Sequence, residues 1–433
     1  MMKSEIIGLL TICLSWLPVI GCQETPSTAP PPKTVKIGAI YPLSGESAST
    51  GEDIKAALEL ATQIINQSVD LPIPLAQDKG LTTHGGVTID VIYQDSENNE
   101  SIAAKQVERL IQKDHVLSLM GCYNSVVTAA ASEQAEILKT PFLNTGSTAP
   151  ILTQRGLDWF FRTTPDDSIF AQNFFTFFSD LSAQLGIRIP KRLVLVYENR
   201  LWGTSVSRAQ RKLALKYDYE IVGDIPYDAT QTDFEKEIKA VKAGMPGVIF
   251  QSSYDADAIA FMRGYKKEEI TPVAIMAMDA GFVSTSFMES MGKDCEYILS
   301  REAWALDIGR KKPLVHAVND RFKEKTGRDM TGHSARAFTG LIVLADAMNR
   351  AAVLTPEAIR TALLATDFSS EQLIMPWDGV RFDPETGQNI LGRGIIVQVQ
   401  GGEYRTVWPL ELSANIVVWP FPVWPDNNSG TRR

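Results

Sequence analysis

The chain has 433 residues, of which 44% are hydrophobic, and carries a formal net charge of −9 at pH 7. This length exceeds what one ordinary domain holds, so we expect two lobes, and the hydrophobic content is sufficient for their cores. The negative charge argues against nucleic acid as a partner, because nucleic-acid binding requires a basic surface. Beyond the N-terminal region no stretch approaches ~18 uninterrupted apolar residues, the pattern of a spanning helix.

Residues 1–22 have the features of an export signal. Lys3 gives a positive start, and residues 6–20 form an apolar run that is too short to span a membrane. The run ends in Val19-Ile20-Gly21-Cys22, which resembles a bacterial lipobox, where lipoproteins are cleaved before the cysteine and diacylated on its sulfur. We therefore predict a lipoprotein signal peptide, with Cys22 anchoring the exported protein in the periplasm or on the outer face of the cell membrane. The alternative is a plain secretory signal with an incidental cysteine.

Residues 23–32, QETPSTAPPP, are polar and rich in proline. Such a segment has nothing to bury, and it predicts an extended tether between the anchor and a folded body.

Strands and helices alternate over the first third of the folded body. The predicted strands are residues 35–41, 87–93, 116–120 and 140–143, and the predicted helices are residues 52–66, 101–112 and 125–138. Residues 69–86 contain prolines and a glycine pair, which predict a loop. Thr50, with Asp53 three residues later, predicts the start of the first helix.

A second alternating series follows, and it predicts a second lobe that is built like the first. Its strands are residues 192–197, 219–225, 247–251 and 272–278, and its helices are residues 204–216, 232–243 and 256–265. A further amphipathic helix covers residues 335–350, and Thr355-Pro356 opens the next. This alternation predicts an α/β fold of two similar lobes, each a parallel sheet flanked by helices, with the site beyond the carboxyl ends of the strands.

The C-terminal part has less regular patterns. Residues 379–402 predict short strands and turns, and residues 407–425 contain Trp-Pro three times, which predicts a segment packed across a lobe surface. We expect residues 425–433 to form a flexible tail. Cys122 and Cys295 either pair in the exported protein or remain two separate buried thiols.

No metal, cofactor or catalytic motif is evident. The four histidines are scattered, and there is no P-loop and no GxSxG motif. Instead, three small hydroxyl residues, Thr145, Ser147 and Thr148, directly follow a short apolar strand. Backbone N–H groups and hydroxyls at such a strand end can bind a small anion, and no nucleophile-activating partner stands beside them. The pattern predicts a ligand site without catalysis.

Four segments together resemble the bacterial leucine/isoleucine/valine-binding protein family, the type I periplasmic solute-binding proteins that serve ABC importers. They are residues 35–44, residues 121–128 (GCYNSVVT), residues 144–153 and Phe161-Arg162-Thr163. The resemblance covers residues 33–400 in order. It implies three crossings between the lobes, near residues 164, 303 and 376. The implied first lobe is residues 33–164 and 304–376, and the second is residues 165–303 and 377–424.

The resemblance also implies a site between the lobes. In the family, a serine that opens the helix after the third strand, and a threonine with backbone amides after the fourth, bind the ligand's carboxylate. Here these positions are Ser125 and Gly146-Ser147-Thr148, with helix capping as the alternative role for Ser125 and Thr148.

On the second lobe the family has a tyrosine and an acid that bind the amino group, here Tyr254 and Asp279. A buried carboxylate needs a partner, which is either a ligand ammonium or a lysine of the protein. Trp202 either covers the ligand or fills the core.

Three polar residues, Thr50, His333 and Arg336, stand at or beside positions that line the family's side-chain pocket, so we expect a ligand more polar than leucine. The complete predicted ligand-binding set is Asn124, Ser125, Gly146, Ser147, Thr148, Trp202, Tyr254, Asp279 and His333. The implied function is capture of an amino acid or related small polar solute for delivery to an ABC permease, without a cofactor. A ligand-sensing receptor of the same fold is the alternative, and an exported hydrolase is the least favoured.

Overall fold

The structure is a computed structural model, and it describes residues 33–422 and Trp424. The predicted signal peptide (residues 1–22, with Cys22), tether (residues 23–32) and tail (residues 425–433) lie outside the described residues. Within the described part, no helix has the length and apolar character that crossing a bilayer requires.

The described chain contains fourteen strands and eleven α-helices. In chain order they are β1 (Thr34–Tyr41), α1 (Ala48–Asn66), β2 (Thr88–Asp95), α2 (Glu100–Gln112), β3 (Ser118–Gly121), α3 (Ser125–Ile137), β4 (Phe142–Asn144), β5 (Phe160–Arg162), α4 (Asp167–Leu185), β6 (Arg192–Glu198), α5 (Leu201–Lys216), β7 (Glu220–Tyr227), α6 (Glu235–Gly244), β8 (Val248–Ser252), α7 (Asp255–Lys267), β9 (Ala274–Ala277), α8 (Thr285–Met291), β10 (Leu299–Glu302), α9 (Pro313–Thr326), α10 (Gly332–Arg350), α11 (Pro356–Leu364), β11 (Phe368–Ser369), β12 (Gly379–Val380), β13 (Ile395–Gln400) and β14 (Glu403–Trp408).

The strands form two large sheets. The first has the order β2-β1-β3-β4-β5, and all its pairs are parallel. The second has the order β14-β13-β10-β9-β8-β6-β7 and is parallel from β10 to β7, with β13 and β14 added antiparallel. Because the connected strands of each sheet run parallel, their carboxyl ends meet at one edge, where the loops that carry the predicted ligand residues lie.

The chain passes between the sheets more than once. It leaves the first sheet after β5, builds most of the second sheet, and returns after β10, where α9 and α10 pack on α1. It then adds β13 and β14 to the second sheet. The predicted fold class, two lobes that each contain a sheet flanked by helices, is confirmed. The division of the chain into residues 33–164 with 304–376 and residues 165–303 with 377–424 stays a prediction.

The central strands of both sheets are buried on both faces, which explains why they are nearly continuous apolar runs. In β6, for example, every residue after Arg192 is buried. One helix on the second sheet, α4, was not predicted from periodicity. Its phenylalanines cover more than one face, and Phe174, Phe175 and Phe178 lie with ring centroids 5.1, 5.6 and 6.1 Å from that of Phe250 in β8.

Four predicted helix starts are wrong by three or four residues. Helix α1 begins at Ala48, preceded by Ser47, so Thr50 lies inside the helix, and Asp53 forms an ion pair with Arg328 at 2.6 Å. Helices α5 and α10 begin three residues earlier than predicted, at Leu201 and Gly332, and α6 begins three residues later, at Glu235. In each case the path of the preceding loop, which the local pattern does not encode, decides where the helix begins. The predicted cap of α11 is confirmed, because the Thr355 hydroxyl accepts a hydrogen bond from the Ala358 N–H at 3.3 Å.

The C-terminal segment packs on the second lobe as predicted, as far as it is described. The Trp424 indole donates a hydrogen bond to the Ile270 carbonyl at 2.8 Å, and the Trp419 ring lies 6.0 Å from that of Phe178. Cys122 and Cys295 are both free and buried, so of the two alternatives the structure has the two separate thiols.

Candidate functional site

One cavity lies where the carboxyl edges of the two sheets face each other. Eight of the predicted ligand-binding residues line it together, namely Ser125, Gly146, Ser147, Thr148, Trp202, Tyr254, Asp279 and His333. The ninth, Asn124, lines a smaller neighbouring cavity with Trp202 and Tyr254. The volume of the main cavity is only about 20 Å³, which is space for one water molecule.

The first lobe presents the N-terminus of α3 to this cavity. Ser125 is the first residue of the helix, and its hydroxyl oxygen accepts one long hydrogen bond, from the Ala149 N–H at 3.4 Å. Among the described residues nothing accepts the Ser125 hydroxyl proton. The capping alternative for Ser125 is wrong, because its side chain bonds no N–H of its own helix. A free donor therefore stands at the positive end of the helix dipole.

The loop after β4 is held in shape by its own side chains. The Asn144 amide oxygen accepts hydrogen bonds from the N–H groups of Gly146 and Ser147, both at 2.9 Å. The Ser147 hydroxyl bonds the Tyr123 carbonyl at 2.8 Å. These groups are occupied, whereas the Thr148 N–H has no acceptor among the described residues. The Thr148 hydroxyl does not cap a helix either, because it donates to Asp167 at 2.9 Å.

Two buried arginines flank the cavity, and both donate to the same oxygen of Asp279. Arg301 in β10 lies 2.7 Å from Asp279 Oδ2, and Arg336 in α10 lies 3.0 Å from it. Both arginines are only 1% exposed. Arg336 belongs to a helix of the first lobe, whereas Asp279 follows β9 of the second. This ion pair therefore joins the lobes across the cleft.

Arg301 makes further contacts on both sides of the cleft. It lies 3.1 Å from Asp167 Oδ1, 3.3 Å from the Thr148 hydroxyl and 3.9 Å from the ring centroid of Phe170. Sequence reasoning missed this residue. The only signal was an adjacent pair of charged residues, Arg301-Glu302, between apolar segments, and β10 itself was not predicted.

The Asp279 carboxylate has a partner within the protein, and that partner is arginine, not the lysine considered from the sequence. Although burial acts to raise the pKa of Asp279, the charges of Arg336 and Arg301 lower it below its ordinary value, so the group is ionised. The Asp279 N–H donates to the Ser300 hydroxyl at 3.1 Å, which fixes the backbone at this turn.

A second carboxyl group lies behind Asp279. Burial raises the pKa of Glu302 to about 8, so this side chain is mostly protonated at neutral pH. Asp279 Oδ1 and Glu302 Oε2 are both buried, and neither has a hydrogen-bond partner among the described residues. The cleft therefore holds one ionised carboxylate, Asp279, and one carboxyl group that is mostly neutral at pH 7.

His333 is neutral and its tautomer is fixed. Its Nδ1 accepts a hydrogen bond from Arg336 at 2.7 Å, so the proton resides on Nε2, which lies 3.8 Å from Asp279 Oδ1. Burial lowers the pKa of His333 to about 4. The imidazole thus offers the cleft an N–H donor without adding a charge.

Aromatic rings form the remaining wall. The Tyr254 ring centroid lies 4.9 Å from that of Trp202 and 5.8 Å from that of Tyr123, and Tyr123 lies 5.3 Å from His333. The buried Tyr123 hydroxyl has no partner among the described residues. Trp202 lines the cavity and packs on Tyr254, and its role as a cover over the ligand stays a prediction. Thr50 is buried in α1 and does not line the cavity.

Comparison with known proteins agrees with this architecture. A family model described as periplasmic binding protein matches residues 34–403. A Brucella suis protein named Leu/Ile/Val-binding protein homolog 7 is 25% identical over 390 residues, which is 88% of this chain and 93% of the relative.

Solved structures share the two-lobed fold. LivJ, the branched-chain amino acid transporter substrate-binding protein of Streptococcus pneumoniae, solved with isoleucine, is 22% identical with a TM-score of 0.70, over 89% of this chain and 100% of LivJ. A solute-binding protein of an ABC transporter from Rhodopseudomonas palustris, solved with 3,4-dihydroxybenzoic acid, is 18% identical with a TM-score of 0.71, over 91% of this chain and 99% of that protein. The chain belongs to the family of periplasmic binding proteins.

Proposed function

We propose that this protein is an exported binding protein that captures a small polar solute between its two lobes and delivers it to an ABC permease. The observation that carries the proposal is the convergence of polar and aromatic residues from both lobes on one cavity. The Streptococcus pneumoniae relative, which binds isoleucine, supports the same use of the fold.

A carboxylate of the solute binds at the first lobe. The Ser125 hydroxyl and the Thr148 N–H are donors without acceptors, and the first N–H groups of α3 have no partner within their helix. Gly146 and Ser147 shape this cradle through Asn144. The positive end of the helix dipole stabilises an anion at this place. Asn124, which directly precedes the helix, supports the cradle from the neighbouring cavity.

Binding requires movement. A cavity of about 20 Å³ is far smaller than the several hundred Å³ of a typical ligand pocket, so a solute enters only when the lobes or the lining side chains move apart. Closure then brings Trp202 and Tyr254 of the second lobe over the solute, and the permease recognises the closed form. The ion pair between Arg336 and Asp279 joins the lobes in this closed arrangement.

The test of this function is isothermal titration of the purified protein against amino acids, amides and small carboxylates. We expect at least one of these solutes to bind, and Ser125→Ala to weaken its affinity. The matched control is Ser101→Ala, a change at an exposed position of α2 that leaves the affinity unchanged. Absence of binding across the whole panel would refute the proposed function.

The lipid anchor at Cys22 is part of the proposal and is tested separately. Cells grown with a fatty-acid analogue that carries an alkyne should label the native protein and not its Cys22→Ser variant. Equal labelling of the two proteins would refute the proposed lipid anchor and would leave the proposed solute binding unaffected.

A further inference from the structure

We propose that the cleft selects small carboxylic acids that carry an oxygen group, such as an oxo, hydroxyl or second carboxylate group, where an amino acid carries its ammonium. The inference rests on the proposed function and specifies its ligand class. Its basis is that Asp279, which is the acid in the cleft, is already neutralised by Arg301 and Arg336.

Asp279 Oδ2 is shared by two arginines. Two guanidinium groups donate to this oxygen at 2.7 and 3.0 Å, and each is almost fully removed from solvent. Arg301 also pairs with Asp167, but the other hydrogen bonds of Arg336 are to uncharged groups, so Arg336 cannot release the carboxylate without leaving its buried charge unpaired. An ammonium at this oxygen would be the third cation on one carboxylate.

The other oxygen of the same carboxylate, Asp279 Oδ1, is buried and makes no hydrogen bond among the described residues. Its neighbour His333 Nε2, an N–H donor, lies 3.8 Å away. The single negative charge of the carboxylate is already matched by the two arginines, so a ligand ammonium here would add a third positive charge to one carboxylate.

Two donor groups at the cavity lack hydrogen-bond partners among the described residues. The Tyr123 hydroxyl is buried, 6% exposed, and bonds nothing in the described part of the chain. His333 Nε2 also lacks a hydrogen bond within 3.5 Å. Both groups can donate, and both lie at the cavity. Unpaired buried donors favour a ligand that brings acceptors, because an unsatisfied polar group is costly in a closed site.

These donors define the second recognition point of the ligand. Ser125 and the Thr148 N–H hold the carboxylate at the first lobe, and Tyr123 with His333 meets an oxygen acceptor on the same small molecule. The surrounding rings of Trp202, Tyr254 and Tyr123 suit an apolar or flat carbon skeleton. A 2-oxo acid, a 2-hydroxy acid or a dicarboxylate meets these requirements, whereas the ammonium of a zwitterion would face these donors and a carboxylate whose charge two arginines already balance.

The experiment compares ligands that share one skeleton. The purified protein is titrated with leucine, 4-methyl-2-oxopentanoate and 2-hydroxy-4-methylpentanoate, and likewise with phenylalanine, phenylpyruvate and phenyllactate, and with glutamate, 2-oxoglutarate and 2-hydroxyglutarate. We expect the oxo or hydroxy acid to bind at least about tenfold more tightly than the amino acid in every set that binds, a difference of about 1.4 kcal/mol. An amino acid that binds as tightly as its oxo and hydroxy analogues, or more tightly, would overturn this inference and leave the proposed function intact. Absence of binding in all sets would overturn both.

A variant tests whether the arginines on Asp279 cause the preference for the oxo acid. Arg336→Met removes one of the two cations on Asp279 and retains much of the side-chain volume, so we expect the preference for the oxo acid over the amino acid to fall severalfold. The control is Arg211→Met, which alters a half-exposed ion pair with Asp224 on the second lobe and should leave the preference unchanged. An unchanged preference in a folded Arg336→Met protein would contradict the assigned role of the arginine. The comparison of wild-type affinities needs no variant and holds even when Arg336→Met does not fold.

Discussion

Replacement of Asp279 by asparagine will destabilise the protein even when no solute is present. The substitution retains the shape of the side chain and removes its charge. Arg301 and Arg336 then lose a shared counterion while they remain only 1% exposed. Arg301 keeps Asp167 at 3.1 Å, but the remaining hydrogen bonds of Arg336 are to the Gly146 and Gly332 carbonyls and His333, none of which is charged.

The expected loss follows from this arrangement. Breaking a buried ion pair by removing one partner commonly costs about 3–5 kcal/mol, because the other charge stays buried and unpaired. Since Arg301 retains an acidic neighbour, we expect the lower part of this range, about 3 kcal/mol. That is a substantial share of the 5–15 kcal/mol typical for the free energy of unfolding.

Urea unfolding at pH 7, followed by circular dichroism, measures this loss. The matched control is Asp224→Asn, which breaks the ion pair with Arg211 at 2.8 Å on the surface, where both partners are about 40% exposed. The control should change the free energy of unfolding by less than about 1 kcal/mol. An equally small change for Asp279→Asn would refute the reasoning. A small change is expected if the Asp279 carboxylate pairs with an ammonium of the ligand and the two arginines do not need its charge.

Three further predictions concern other parts of the molecule. The pKa of Glu302 is raised to about 8 in the folded protein, so the folded state retains a proton that the unfolded state releases above pH 4.5. The free energy of unfolding should therefore fall as pH rises towards 8, and Glu302→Gln should remove this dependence. The same change of melting temperature between pH 6 and 8 in both proteins would contradict this. Gly281→Ala should lower both stability and solute affinity, because the new Cβ would lie 2.3 Å from the Tyr254 carbonyl carbon; unchanged melting and titration curves would contradict this contact. Cys122 and Cys295 should resist iodoacetamide at pH 8 in the native protein and react after denaturation, because burial raises their pKa to about 12 and about 11; native labelling of either peptide in mass spectra would refute their burial.

The fold could be predicted from the sequence wherever a strand or helix has a clear local hydrophobic pattern. Strands buried on both faces are apolar runs, and amphipathic helices such as α1 and α2 show one apolar stripe. Helix α4 was missed because its aromatic residues serve more than one face. Strand β10 was missed because half of its residues, Arg301 and Glu302, are charged. Their burial depends on partners such as Asp279 that lie elsewhere in the chain.

The residues that line the candidate site could be predicted from the sequence, but the ion pairs between them could not. Loops that follow parallel strands converge on one edge, so residues such as Ser125 and Asp279 could be assigned to one place from the sequence. The partner of Asp279 could not, because Arg301 lies 22 residues and Arg336 lies 57 residues away along the chain. Pairing between buried charges is decided by tertiary packing, which local sequence patterns do not encode.

The most direct test is a crystal structure of the protein with the tightest-binding solute of the titration panel. We expect the solute's carboxylate within about 3.2 Å of Ser125 Oγ and the Thr148 N–H. We also expect an oxygen of the same molecule to face Tyr123 and His333, while Asp279 keeps both arginines. A solute bound elsewhere, or one whose ammonium has displaced Arg301 or Arg336 from Asp279, would contradict this description of the cleft.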